Sequence, residues 1–140
     1  MMRVFCSAAT VAVAQVILCS PAFADEKKPV KAIKEWAGSV ADDNAGAGGP
    51  KIITEAKELE KLWTDWKLEG KPPEVDFTKE FIAVVTSRGS KISHFVKADE
   101  KTGSLTINGL GTRDLRPGTR YVIGSYSREG IKMVNGKELK

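Results

Sequence analysis

His94 is the one imidazole in the chain of 140 residues, so proton transfer by histidine, or a histidine-ligated metal, has to run through it. A nucleophilic site would need a serine such as Ser90 or Ser125 beside that ring and a carboxylate behind it. A zinc site would need further nitrogen or thiolate ligands, and the two cysteines, Cys6 and Cys19, both stand near the amino terminus. Alternation along residues 91–98 sets His94 on one strand face with Ile92 and Val96, where a histidine ordinarily serves the fold. A small hydrolase centred on His94 is therefore one expectation, weighed against a structural histidine.

Other spacings come close to known chemistry and stop short. Asp42-Asp43-Asn44 followed by Gly46 has the start of a calcium loop, but the twelfth position counted from Asp42 is Ile53 and not glutamate. Gly46-Ala47-Gly48-Gly49-Pro50-Lys51 lacks the Gly-Lys-Ser/Thr ending of a phosphate cradle, and Pro50 removes a backbone donor. Gly109-Leu110-Gly111 misses the third glycine of a dinucleotide turn. Glu74 and Asp76 have the residue types of a carboxylate pair for glycoside hydrolysis, yet Asp76, just ahead of an apolar run, suits a turn in which it accepts from nearby amides. No catalytic residue, metal ligand or cofactor site is assigned from these patterns.

The arginines carry a further signal, weighed against the plain reading of a solvated face spread around a sheet. Residues 25–85 hold 10 lysines against 13 acidic residues, whereas residues 86–140 hold 11 basic and 5 acidic ones. Arg88, Arg113, Arg116, Arg120 and Arg128 all fall in the basic part, and guanidinium groups grip carboxylate or phosphate in bidentate fashion. Arg113-Asp114-Leu115-Arg116-Pro117-Gly118 places two of them on a Pro-Gly turn, although either can pair with Asp114. Binding to nucleic acid is not expected, because the basic part lacks the aromatic interleaving of an RNA-binding sheet.

The amino-terminal stretch has one charge at Arg3, an apolar run to Leu18 and then Ala22-Phe23-Ala24. That layout predicts an export signal over residues 1–24, cleaved after Ala24, with the apolar run too short to span a membrane. The exported chain would then carry no thiol, which removes thiol catalysis and thiolate metal sites from consideration. What remains suits one domain with a periplasmic or secreted location.

The elements that must position these residues are legible in part. Residues 25–34 form a charged, mobile leader that runs into a short strand with Trp36 and Val40 facing inward, and residues 42–50 form a flexible linker. Thr54 is the expected helix cap. Leu59, Leu62, Trp63 and Trp66 then recur at helical spacing, and Gly70 with Pro72-Pro73 is the expected stop. Phe81-Ile82-Ala83-Val84-Val85-Thr86 reads as a central strand buried on both faces. Further strands are expected over residues 91–98, 104–109 and 120–128, neighbours pairing antiparallel, with an Asn135-Gly136 hairpin at the end.

Ile52-Ile53-Thr54, Leu62-Trp63 and Val75-Asp76-Phe77-Thr78-Lys79-Glu80 leading into the strand at Phe81 resemble the C-terminal domain of the PrcB-like protease-complex subunits. The resemblance covers roughly residues 50–128. It implies an exported α+β domain that accompanies or stabilises a partner, in the founding case a protease, and it implies no catalytic residues. Trp63, Asp76 and Phe77 match the family's pattern as fold determinants. After the first strand the family tends to a glycine-rich turn and Gly-Tyr, where this chain has Ser90-Lys91-Ile92-Ser93-His94-Phe95.

The expectation is thus an α+β fold over residues 50–140, one amphipathic helix packed on an antiparallel sheet of about four to six strands. Trp36, Trp63, Trp66, Asp76 and Phe77 are its structural residues. The expected role is non-enzymatic binding of another envelope protein, with Arg88, Arg113, Arg116 and Arg120 as contacts. A polyanion-binding module using the same arginines is the alternative beside the hydrolase.

Overall fold

The computed structural model describes residues 27–46 and 49–140. The export signal expected over residues 1–24, with its cleavage after Ala24, lies outside them. In chain order the elements are β1 (Lys28–Pro29), β2 (Lys34–Val40), β3 (Lys51–Ile53), α1 (Ala56–Asp65), β4 (Glu80–Ser87), β5 (Ile92–Asp99), β6 (Ser104–Gly111), β7 (Thr119–Ser127), β8 (Met133–Val134) and β9 (Lys137–Glu138).

The fold is α+β. Its strands divide over two mainly antiparallel sheets, β2-β7-β4-β3 and β1-β5-β6-β8-β9, with β6 and β8 running parallel. The division follows from the sequence of β4, which is apolar at every position from Phe81 to Val85 and so has to be covered on both sides. Phe81, Ala83 and Val85 face Val96, Ala98, Leu105 and Ile107 of the second sheet. Ile82 and Val84 face Leu59 and Leu62 of α1, with Ile53 and Ile123 beside them. Three layers result, and burial of each of these large apolar side chains contributes about 1.5–3 kcal/mol.

Three local expectations need correction. The helix is capped at Glu55, not Thr54: Glu55 is extended, makes no side-chain capping bond, and its carbonyl accepts from Leu59 N–H at 3.3 Å. The helix also ends at Asp65, well before Gly70, because Lys67 takes a left-handed φ of 50° and Leu68 N–H turns back to the Trp63 carbonyl at 3.0 Å. From Lys28 onward the leader is built into the sheets. Lys28 and Pro29 pair with Ala98 and Lys97, and Ile33 N–H reaches the Ser125 carbonyl at 2.7 Å.

Neighbours in sequence do not all pair. β4 pairs with β3 and β7, while β5 and β6 leave as a hairpin that forms the centre of the other sheet. The hairpin departs from the end of β4 and returns to the start of β7, and those two ends adjoin, since Ser87 lies opposite Arg120. Both crossing loops therefore sit at one end of the sandwich. The exit of β2 joins them there, with Val40 opposite Thr119.

Candidate functional site

Three loops meet at that end, residues 41–46, 88–91 and 112–118. Arg116 N–H donates to the Arg88 carbonyl at 2.9 Å and Thr112 N–H to that of Lys91 at 3.1 Å. Asp43 ties the first loop to the other two: one carboxylate oxygen accepts from Gly118 N–H at 2.5 Å, the other from Arg88 Nη2 at 3.1 Å. Thr119 Oγ1 donates to the Asp42 carbonyl at 2.8 Å.

Topology thus gathers Arg88, Arg113, Arg116 and Arg120 together with Lys91. Arg120 Nη1 donates to the Pro117 and Gly118 carbonyls at 3.2 and 3.3 Å, which holds its guanidinium along the loop. Arg116 Nε lies 3.4 Å from Asp114 Oδ2. Arg113 has no partner among the described residues. With Asp42, Asp43 and Asp114 interleaved, the end is basic but mixed in sign, and exposed pairs of this kind contribute little to stability. Asp114 is held well below the usual carboxylate range by hydrogen bonds from the Ser90 and Thr112 hydroxyls and from Ser90 N–H. Arg128 lies elsewhere, its guanidinium donating to the Phe77 carbonyl at 2.6 Å and to the Lys140 carbonyl.

The outer face of the β5–β6 hairpin runs into this cluster. Ser93 pairs with Leu110 and Phe95 with Asn108, so Phe95 and Leu110 are diagonal neighbours on one face. Phe95 is 50 % exposed, Leu110 59 % and Leu115, within the arginine loop, 75 %. Sequence reasoning passed over these three. The signal was present: Phe95 alternates with Ser93 and Lys97 on the polar face of β5, and Leu110 falls on the face opposite Leu105 and Ile107.

His94 lies on the inner face of β5 and is 18 % exposed. Its Nε2 is 3.5 Å from Glu35 Oε2, and its ring meets Tyr126 edge-on with centroids 6.5 Å apart. Burial first and the Glu35 charge second push the Tyr126 hydroxyl up to about 12. The structure does not bring Ser90 or Ser125 to this histidine. Ser90 Oγ meets Thr112 Oγ1 at 3.2 Å, and Ser125 Oγ accepts from Lys34 N–H at 3.1 Å on the helix side of β7. Among the described residues no cluster of histidine, aspartate or glutamate has the makings of a metal site, and no helix is long and apolar enough to cross a membrane.

Asp76 forms a turn, one carboxylate oxygen accepting from both the N–H and the hydroxyl of Thr78, at 3.0 and 2.5 Å. Phe77, Trp36, Trp63 and Trp66 are half-buried against the helix-side core. The two α1 indoles do more than seal it. Trp63, Trp66 and Tyr121 line a cleft of about 710 Å³ between the end of the helix and the end of β2. Gly38 makes room for Tyr121, whose ring lies where a β-carbon would stand, and Trp66 packs on Tyr121 with ring centroids 5.5 Å apart and planes at 44°.

No family model, curated protein or solved structure matches the chain.

Proposed function

We propose that this chain is a non-enzymatic binding domain that docks another exported protein through the outer face of β5–β6 and the arginine-bearing loops beside it. The observation that carries the reading is the placement of Phe95 and Leu110. Two large apolar side chains are left at least half-exposed on one strand pair, and they lead directly into a rim of Arg113, Arg116 and Arg88. An apolar centre with an arginine-rich polar edge is the anatomy of a protein–protein interface. The resemblance to PrcB-like subunits, which implies an exported companion of a protease, supports the same reading.

Polyanion binding by the arginines is the competing reading. It draws less support, because Asp43 and Asp114 engage Arg88 and Arg116 within the same cluster. In-cell crosslinking with identification of the captured protein separates the two. A Phe95→Ser, Leu110→Ser double variant is expected to lose the captured partner, as is reversal of Arg113, Arg116 and Arg120 to glutamate. Capture that survives the first change and fails with the second, with retention on an anionic column falling steeply with salt, would favour the polyanion. Capture that survives both removes the proposed surface.

A further inference from the structure

The cleft beside α1 has a composition unlike the arginine end. Its aromatic surface comes from Trp63, Trp66 and Tyr121, and its charge from Asp42, Asp65 and Glu69 against Lys67. Asp65 and Glu69 are exposed and form no ion pair among the described residues. Asp65 is also the last helical residue, and the last turn of α1 carries no basic side chain. The partial negative charge of the helix carboxyl end therefore adds to the carboxylates without a compensating cation on that turn.

Three aromatic side chains and unpaired negative charge in one concavity select a particular ligand chemistry. The face of an indole or phenol ring attracts a cation through its quadrupole, most strongly when the cation sheds water easily. The size of the cleft lies within the range of small-molecule sites. A phosphate or carboxylate ligand would meet like charge. From these features we infer that the cleft is a binding site for a small organic ammonium ion, of the methylated type that aromatic side chains recognise. The site is separate from the β5–β6 surface and lies on the helix side of the four-stranded sheet.

The test is titration of the purified protein with choline and with its uncharged isostere, in which a tert-butyl group replaces trimethylammonium. Binding is read by tryptophan fluorescence and by calorimetry. Choline is expected to saturate the protein, with the isostere at least about tenfold weaker, and Trp66→Leu is expected to weaken choline by about tenfold or more. Because Trp66 also packs on the core, the exposed pair Asp65→Asn and Glu69→Gln supplies the second test: affinity falls while the circular dichroism spectrum and melting temperature stay unchanged. Equal binding of choline and its isostere would overturn the inference. So would saturation by a neutral oligosaccharide but not by choline, or no response to choline or tetramethylammonium.

Discussion

Val85 of β4 occupies the space that Gly109 of β6 leaves empty: a β-carbon on Gly109 would overlap the Val85 Cγ1 methyl. Two residues further along β6, a β-carbon on Gly111 would likewise overlap Ser87 Oγ. The sheets thus approach closely at the end where the loops cross, and the absence of side chains at these two β6 positions is what lets them do so. This close approach supports the geometry of the arginine cluster, since the 88–91 and 112–118 loops depart from these strands.

A methyl group at position 109 should therefore cost stability. Gly109→Ala is expected to destabilise the fold by about 1–3 kcal/mol, the usual range for overpacking a filled contact. Val85→Ala would destabilise it too, by emptying a buried site. Combined, the two changes relieve each other, so the double variant should be more stable than the sum of the single effects predicts, by about 0.5 kcal/mol or more. Urea denaturation midpoints of the four proteins give the comparison. Strict additivity would show that the two positions do not touch.

The three-layer arrangement was only half legible in the sequence. The apolar run from Phe81 to Val85 showed a strand buried on both faces, and the Leu59, Leu62, Trp63, Trp66 spacing showed what covers one of them. What covers the other depends on long-range pairing, and residues 92–99 and 104–111 carry no local mark that they leave the sheet of β4. The basic half was equally visible as composition. The gathering of four of its five arginines at one end arises from the hairpin insertion between paired strands β4 and β7, which topology fixes and spacing does not. The cleft was hidden because Trp63 and Trp66 read fully as core residues, while their exposed remainder is shaped by Gly38 and Tyr121, distant in the chain.

Asp114 offers a check on the loop network by acid titration. Its carboxylate is lowered by the hydroxyls of Ser90 and Thr112 and by the Ser90 amide. A group lowered in the folded chain lends stability above the unfolded aspartate value of about 3.9, and that stability is lost as pH falls toward the folded value. Carbon-detected NMR should find Asp114 still ionised at pH about 3.9, where a free aspartate is half protonated. Thr112→Ala should raise its midpoint. An Asp114 that titrates as a free aspartate would mean that its carboxylate does not tie Ser90 to the 112–118 loop as described.

Tyr126 makes the opposite prediction at high pH, and it probes the inner face on which Glu35, His94 and Tyr126 converge. Its hydroxyl is pushed up to about 12, chiefly by burial and secondarily by the Glu35 carboxylate. An unfolded tyrosine ionises near about 10, so the folded chain keeps a proton that the unfolded chain gives up. The stability this represents is complete below about 10 and is lost as pH rises toward about 12. The chain has 2 tyrosines, and Tyr121→Phe leaves Tyr126 as the single reporter for ultraviolet titration after a rapid pH jump. In that background Glu35→Gln should lower the midpoint only part of the way, because burial is the larger cause and remains. A midpoint near about 10 before unfolding begins would place the Tyr126 hydroxyl in water, and with it the packing of His94 and Glu35 around that ring would be wrong.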